Sequence, residues 1–96
     1  MDHDYFVYIL TDKSRSTLYI GVTNDLLSRI WQHRNPEHAS FTQRYHCIIL
    51  VWYEHFSDVL AAIACEKKLK GWRRSKKVAL INEKNPKWDD LAADWQ

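Results

Sequence analysis

The sequence predicts a small α+β domain, a three-stranded antiparallel sheet flanked by helices in the order β-β-α-β-α-α. Three observations predict it. Tyr5-Phe6-Val7-Tyr8-Ile9-Leu10 and Thr17-Leu18-Tyr19-Ile20-Gly21-Val22 are rich in β-branched and aromatic residues, and a polar, turn-like stretch separates them, so they read as a hairpin. Cys47-Ile48-Ile49-Leu50-Val51-Trp52-Tyr53 is a continuous apolar run, read as a third strand buried on both faces. The segments between and after these runs open on capping residues and have helical spacing. With 96 residues there is room for one domain, spanning 1–96.

The hairpin comes first. Pairing Leu10 with Thr17 sets Tyr8 opposite Tyr19 and Phe6 opposite Gly21. A glycine inside a strand weakens it and often marks the close approach of another group. Thr23 or Asn24 is a suitable N-cap, and Asp25 is placed to meet the helix dipole. The helix they open runs to about Arg34 and ends before Asn35-Pro36. Residues 35–45 are polar and read as a loop. Ser57 caps a second helix from Asp58 to about Lys70, which Gly71 is placed to end. A third helix spans Arg74 to Asn82 and stops at Asn85-Pro86. Trp88, Leu91 and Trp95 follow in a tail able to dock on the core.

Composition excludes several classes. At 46% hydrophobic and 27% charged residues the chain is globular rather than disordered. Five Trp and five Tyr supply a dense small core, stacking faces for bases, or both. The longest uncharged stretches fall far short of the roughly 18 apolar residues of a membrane span, and Met1-Asp2-His3-Asp4 is acidic where a secretory leader is basic. Cys47 and Cys65 are too few for a disulfide framework or a zinc ribbon, so a reduced, cytoplasmic protein is expected. They read as small buried apolar residues.

The net charge of +2 says less than its layout. Lys67, Lys68, Lys70, Arg73, Arg74, Lys76 and Lys77 fall in one acid-free stretch that holds half of the fourteen basic residues. Such a run serves either a polyanionic partner or a solvated helix face. On the second helix, Glu66 projects into the middle of the apolar stripe of Val59, Ala62, Ile63 and Leu69. A carboxylate there is costly unless paired with a cation or bound to a metal; a structural ion pair and a metal site both satisfy that need. On the first helix, Arg29 and His33 are four residues apart and share one edge.

Taken together, Phe6-Val7-Tyr8, Tyr19-Ile20-Gly21, Arg29, His33 and the Glu66 of Ala62-Ile63-Ala64-Cys65-Glu66-Lys67-Lys68-Leu69-Lys70 resemble the GIY-YIG nuclease superfamily. The match is best with its small single-domain bacterial members, which carry segments like Phe41-Thr42-Gln43-Arg44-Tyr45 and Asn85-Pro86-Lys87-Trp88-Asp89-Asp90-Leu91. The first half-motif departs from the name, with Phe6 in place of Gly and Val7 in place of Ile. The family's late Asn maps to Asn82 or Asn85.

The resemblance implies a divalent-metal-dependent endonuclease that hydrolyses DNA phosphodiester bonds, structure-selective rather than sequence-specific, in a setting such as DNA repair. It implies one Mg²⁺ or Mn²⁺ ion, DNA as partner, no membrane, and a monomer in solution. The alternative is a module of the same fold that binds nucleic acid and cuts nothing; a protein-interaction domain using the aromatic tail is a third reading. On the family template Glu66 would anchor the metal and Arg29 would hold the scissile phosphate. Tyr8 or His33 would take the proton of the attacking water, while Tyr19 would orient the water or the phosphate. Gly21 would clear space for the substrate backbone. Lys67, Lys70, Arg73, Arg74 and Lys77 would hold flanking phosphates, which positions a substrate without reading its sequence. Trp72 and Tyr45 are read as core rather than as base-stacking groups.

Overall fold

The computed structural model of the protein describes residues 3–35 and 46–95. Strands β1 (Tyr5–Thr11), β2 (Leu18–Thr23) and β3 (Ile49–Phe56) and helices α1 (Leu26–Arg34), α2 (Val59–Gly71) and α3 (Arg74–Lys84) follow one another as β-β-α-β-α-α. The strands form one antiparallel sheet in the order β2-β1-β3, so β1 is central. The loop expected over 35–45, and Tyr45 with it, lies outside the described residues beyond Asn35.

The hairpin register differs from expectation by two residues. Tyr8 faces Gly21, Leu10 faces Tyr19 and Phe6 faces Thr23. The cause is Asp12. Its carboxylate accepts from the Ser14 hydroxyl at 2.6 Å, from the Ser16 N–H at 2.9 Å and hydroxyl at 2.8 Å, and from the Thr17 N–H at 3.1 Å. The loop therefore starts at Asp12 and Thr11 pairs with Leu18. A shift of two leaves every side chain on its own face, so Tyr8 and Tyr19 still share a face, as diagonal neighbours.

Caps also move by a residue or two. Asp25, not Thr23 or Asn24, caps α1 by accepting from the Ser28 N–H at 3.1 Å, while the Thr23 hydroxyl accepts from the Asp25 N–H. Asp58, not Ser57, caps α2 through the Ala61 N–H. Gly71 is the last residue of α2, and neither glycine takes a positive φ. Helix α3 runs two residues past Asn82 and ends before Asn85-Pro86.

Only Leu50, Val51 and Trp52 of β3 are buried; Tyr53, Glu54 and His55 are exposed, because β3 is an edge strand rather than a central one. A bulge lies opposite Ile9 and Leu10, where Ile9 pairs with Trp52 and Leu10 with Leu50. The extra residue, Val51, lets both Val51 and Trp52 join the same core.

Strand alternation divides the interior in two. Val7, Ile9, Ile20, Val51 and Trp52 pack against Ala62 and Leu69 of α2 and Ile81 of α3. Tyr8, Leu10 and Leu50, on the other face, pack against Leu26 and Ile30 of α1, Cys47 and Ala92. The tail docks as expected: Ala92 and Trp95 join the α1 side and Trp88 the α2/α3 side, with Leu91 left largely exposed. Arg34 fastens it. Its guanidinium donates to both Asp90 carboxylate oxygens (3.0 and 2.8 Å), to the Ala92 carbonyl (3.0 Å) and to the Ile48 carbonyl (3.1 Å). The Leu91 N–H donates to the Leu50 carbonyl at 2.8 Å.

Candidate functional site

Strands β1 and β2 present Tyr8 and Tyr19 toward α1, and α1 presents His33 back toward them. The three rings form a triangle: centroids are 6.2 Å apart for Tyr8 and Tyr19, 5.8 Å for Tyr8 and His33, and 5.3 Å for Tyr19 and His33. A hydrogen bond of 3.0 Å joins the Tyr8 hydroxyl to His33 Nε2. The Tyr8 hydroxyl also interacts with the Tyr19 hydroxyl and the Arg29 guanidinium. Four of the five sequence-predicted catalytic residues are thus in one place.

Their exposure differs in a way that assigns depth. Tyr8 is wholly buried and His33 nearly so, whereas Tyr19 and Arg29 are half-buried. Burial raises the Tyr8 pKa well above the ordinary phenol range; Tyr19 adds to the rise and Arg29 opposes it less strongly. The expected lowering by positive charge is present but outweighed. Burial, with Arg29 second, pushes His33 down from 6.5 to about 4. At neutral pH the pair is therefore a protonated phenol beside a neutral imidazole.

This shift makes stability pH-dependent with a definite sign. An unfolded chain binds the histidine proton near pH 6.5, the folded one only near 4. Between those values the unfolded state holds more protons, so stability falls as pH drops from 6.5 toward 4 and is level above 6.5. The full effect is about 3 kcal/mol. In thermal melts across that window, His33→Gln is expected to show a clearly flatter pH dependence than the wild type; equal slopes would mean His33 is not held neutral.

Gly21 has a local role. A Cβ there would run into Cζ and Oη of Tyr8 and stand 2.9 Å from Cε1. The space that the glycine leaves is filled by the tyrosine ring.

Glu66, the fifth, lies on α2 in the other layer. Helix α2 covers the sheet face opposite to α1, and its Ala62 and Leu69, on the same side as Glu66, are buried there. The Glu66 side chain is only 15% exposed, as its place in the apolar stripe predicts, and Lys70 Nζ lies 3.0 Å from Oε2. That pairing has the favourable order for a helix, acid before base at i,i+4; the spacing was visible in the sequence, and reading the lysine only as a phosphate contact missed it. The two layers meet at a cleft of about 320 Å³ past the end of β2, lined by Thr23, Asn24 and Arg29 on one side and by Val59 and Ile63 of α2 on the other. Ile63 precedes Glu66 by one helical turn.

The remaining basic residues divide by what they touch. Lys67 and Arg73 are exposed, and Lys77 is half-buried. Arg74 donates to the backbone carbonyls of Arg15 and Ser16 and so braces the hairpin loop. Lys68 and Lys76 sit 5.6 and 4.4 Å from the centre of the Trp72 ring, which itself packs on the core. Of the two late asparagines, Asn85 is buried: its side-chain amide donates to the Val51 and Asp89 carbonyls and accepts from the Asp89 N–H. Asn82 is exposed and accepts from the Trp88 indole.

Among the described residues no three His, Cys, Asp or Glu side chains cluster as a metal cage. The donor set instead suits a hard cation that keeps most of its waters, since one carboxylate plus substrate oxygens completes such a shell. The Glu66 carboxylate already draws one cation, the Lys70 ammonium.

Comparison with known proteins agrees with the geometry. The model of the GIY-YIG catalytic domain matches residues 4–79. A UPF0213 protein of Bacillus pumilus (strain SAFR-032) is 33% identical over 81 residues, covering 84% of this chain and 82% of the relative. A UPF0213 protein of Clostridium perfringens (strain 13 / Type A) is 38% identical over 82 residues, covering 85% and 87%. The solution NMR structure of a UPF0213 protein from Bacillus halodurans superposes with a TM-score of 0.60 at 26% identity, over 97% of this chain and 99% of that one. On this match of sequence and fold, the chain belongs to the GIY-YIG family.

Proposed function

We propose that the protein is a divalent-metal-dependent endonuclease that hydrolyses DNA phosphodiester bonds, selecting its substrate by structure with weak sequence preference. The GIY-YIG domain points to a nuclease, and the observation that carries the finer reading is the Tyr8–His33 hydrogen bond buried behind Tyr19 and Arg29. Arg29, always charged and planar, holds the scissile phosphate and stabilises the charge it gains. Tyr19, the more exposed phenol, orients the attacking water. Behind them, the water's proton passes by way of the tyrosine hydroxyls to neutral His33, whose Nε2 accepts the Tyr8 proton in the tautomer protonated at Nδ1. Tyr8 yields its proton only as it gains another, which fits its raised pKa.

Glu66 would hold the divalent ion, Mg²⁺ or Mn²⁺, with Lys70 released from the carboxylate. When bound, the ion supplies electrostatic stabilisation of the charge that builds on the phosphate and leaving oxygen. Lys67, Arg73 and Lys77, with Lys70 once released, hold flanking phosphates. We infer a cytoplasmic monomer, a location that suits the free thiols of Cys47 and Cys65. No helix among the described residues is long and apolar enough to cross a membrane.

The test is to incubate plain, nicked, flapped and branched DNA with the protein and Mg²⁺ or Mn²⁺, with and without chelator. Metal-dependent cutting that favours one of the discontinuous or branched forms is the expected result. Salt-sensitive binding with no cutting of any form would establish the binding-module alternative instead, and absence of both would favour a protein-interaction role.

A further inference from the structure

A groove of about 730 Å³ opens beside the site on the α1 face of the sheet. Three aromatic residues, Phe6, Tyr53 and Trp95, line it, with Asp4, Asn24 and Asp25 as its polar groups. Phe6 precedes Tyr8 by two residues on the same strand face, a step of roughly 7 Å. Asn24 lines both this groove and the cleft that contains Arg29. The groove therefore adjoins the cleft that contains Arg29.

We propose that this groove receives one unpaired nucleobase of the bound strand, guanine in preference to thymine; the inference rests on the nuclease reading above. The polar groups exclude the sugar–phosphate backbone as occupant, because two carboxylates repel phosphate. They suit the edge of a base that carries N–H donors. Asp4 gives one carboxylate oxygen to His55, which leaves its second oxygen as an acceptor, whereas both the N–H and the hydroxyl of Ser28 engage the Asp25 carboxylate. Guanine offers two parallel donors, N1–H and N2–H, to a single carboxylate; thymine offers one. The rings supply the rest. Phe6 and Tyr53 meet at 65° and Tyr53 and Trp95 at 64°, so no ring face is covered by parallel stacking within the trio. Tyr53 is 38% exposed and stands ready to stack. The basic residues that would hold phosphates lie on α2 and α3, on the opposite sheet face. Phosphates and base are thus gathered by separate surfaces around Arg29.

The experiment is equilibrium binding in chelator, so that nothing is cut, of short single-stranded oligonucleotides that differ at one central position: guanine, thymine or an abasic site. The guanine strand is expected to bind about tenfold more tightly than the abasic one, with thymine between. Tyr53→Ala should bring the three affinities together, and Tyr53→Phe should keep their order. Asp4→Asn should bring guanine down toward thymine. Equal wild-type affinities for all three strands, or an order unchanged by Tyr53→Ala, would overturn the groove assignment while leaving the nuclease reading intact. Failure of every strand to bind would likewise overturn the groove assignment, while the nuclease reading stands or falls on metal-dependent cutting of structured DNA.

Discussion

Glu66→Ala is expected to reduce cleavage by about a thousandfold or more while leaving the fold intact. A divalent ion stabilises the transition state by several kcal/mol, and each 1.4 kcal/mol is a factor of ten in rate. Nothing else among the described residues forms a cluster of metal-ligating side chains to take over. The fold should tolerate the change, because the Lys70 left behind is more than half exposed and its ammonium stays hydrated without the carboxylate. Glu66→Gln keeps the volume and the apolar packing but not the charge, and should fail in the same way. The measurement is single-turnover cleavage of the preferred substrate, with thermal melting as the control. Cutting that survives within about tenfold of the wild type in both variants would mean that the ion is held elsewhere.

The second large effect is expected at Gly21→Ala. The added methyl group collides with the aromatic ring and hydroxyl of Tyr8, and that ring, wholly buried, has no solvent to move into. Overpacking of this kind costs about 1–3 kcal/mol, a fall in Tm of order 10 °C for a domain of this length. Tyr8 must shift, so its bond to His33 is lost and cleavage falls with stability. A double-mutant cycle separates this cause from a general weakening of β2. In a Tyr8→Ala background there is room for the methyl group, so Gly21→Ala should then cost little; additive losses would show that the two residues do not oppose each other.

The order of elements was legible because each signal is local. Runs of β-branched and aromatic residues mark β1, β2 and β3, and Thr23, Asn24 and Ser57 before helical spacing mark the starts of α1 and α2 to within two residues. The register was not, because it turns on one side chain, Asp12, collecting hydrogen bonds from Ser14, Ser16 and Thr17. Without that register, Gly21 could not be matched to Tyr8. Arg29 and His33 on one helix edge were legible from their spacing, and so was the inward place of Glu66. What Glu66 pairs with was not, since helical projection shows which way a residue faces and not which partner wins. The depth order of the site, Tyr8 and His33 behind Tyr19 and Arg29, depends on contacts between elements far apart in sequence, and no local pattern encodes it.

The clasp formed by Arg34 has a consequence for the timing of folding. The helix that carries Arg29 and His33 is complete early in translation, but of the groups that Arg34 holds, Ile48 follows after fourteen residues and Asp90 and Ala92 only nearly sixty residues later. A ribosome must therefore deliver that far segment before the helix is locked in position. A chain that ended before Asp90 would carry Tyr8, Tyr19, Arg29, His33 and Glu66 without the full fastening of α1.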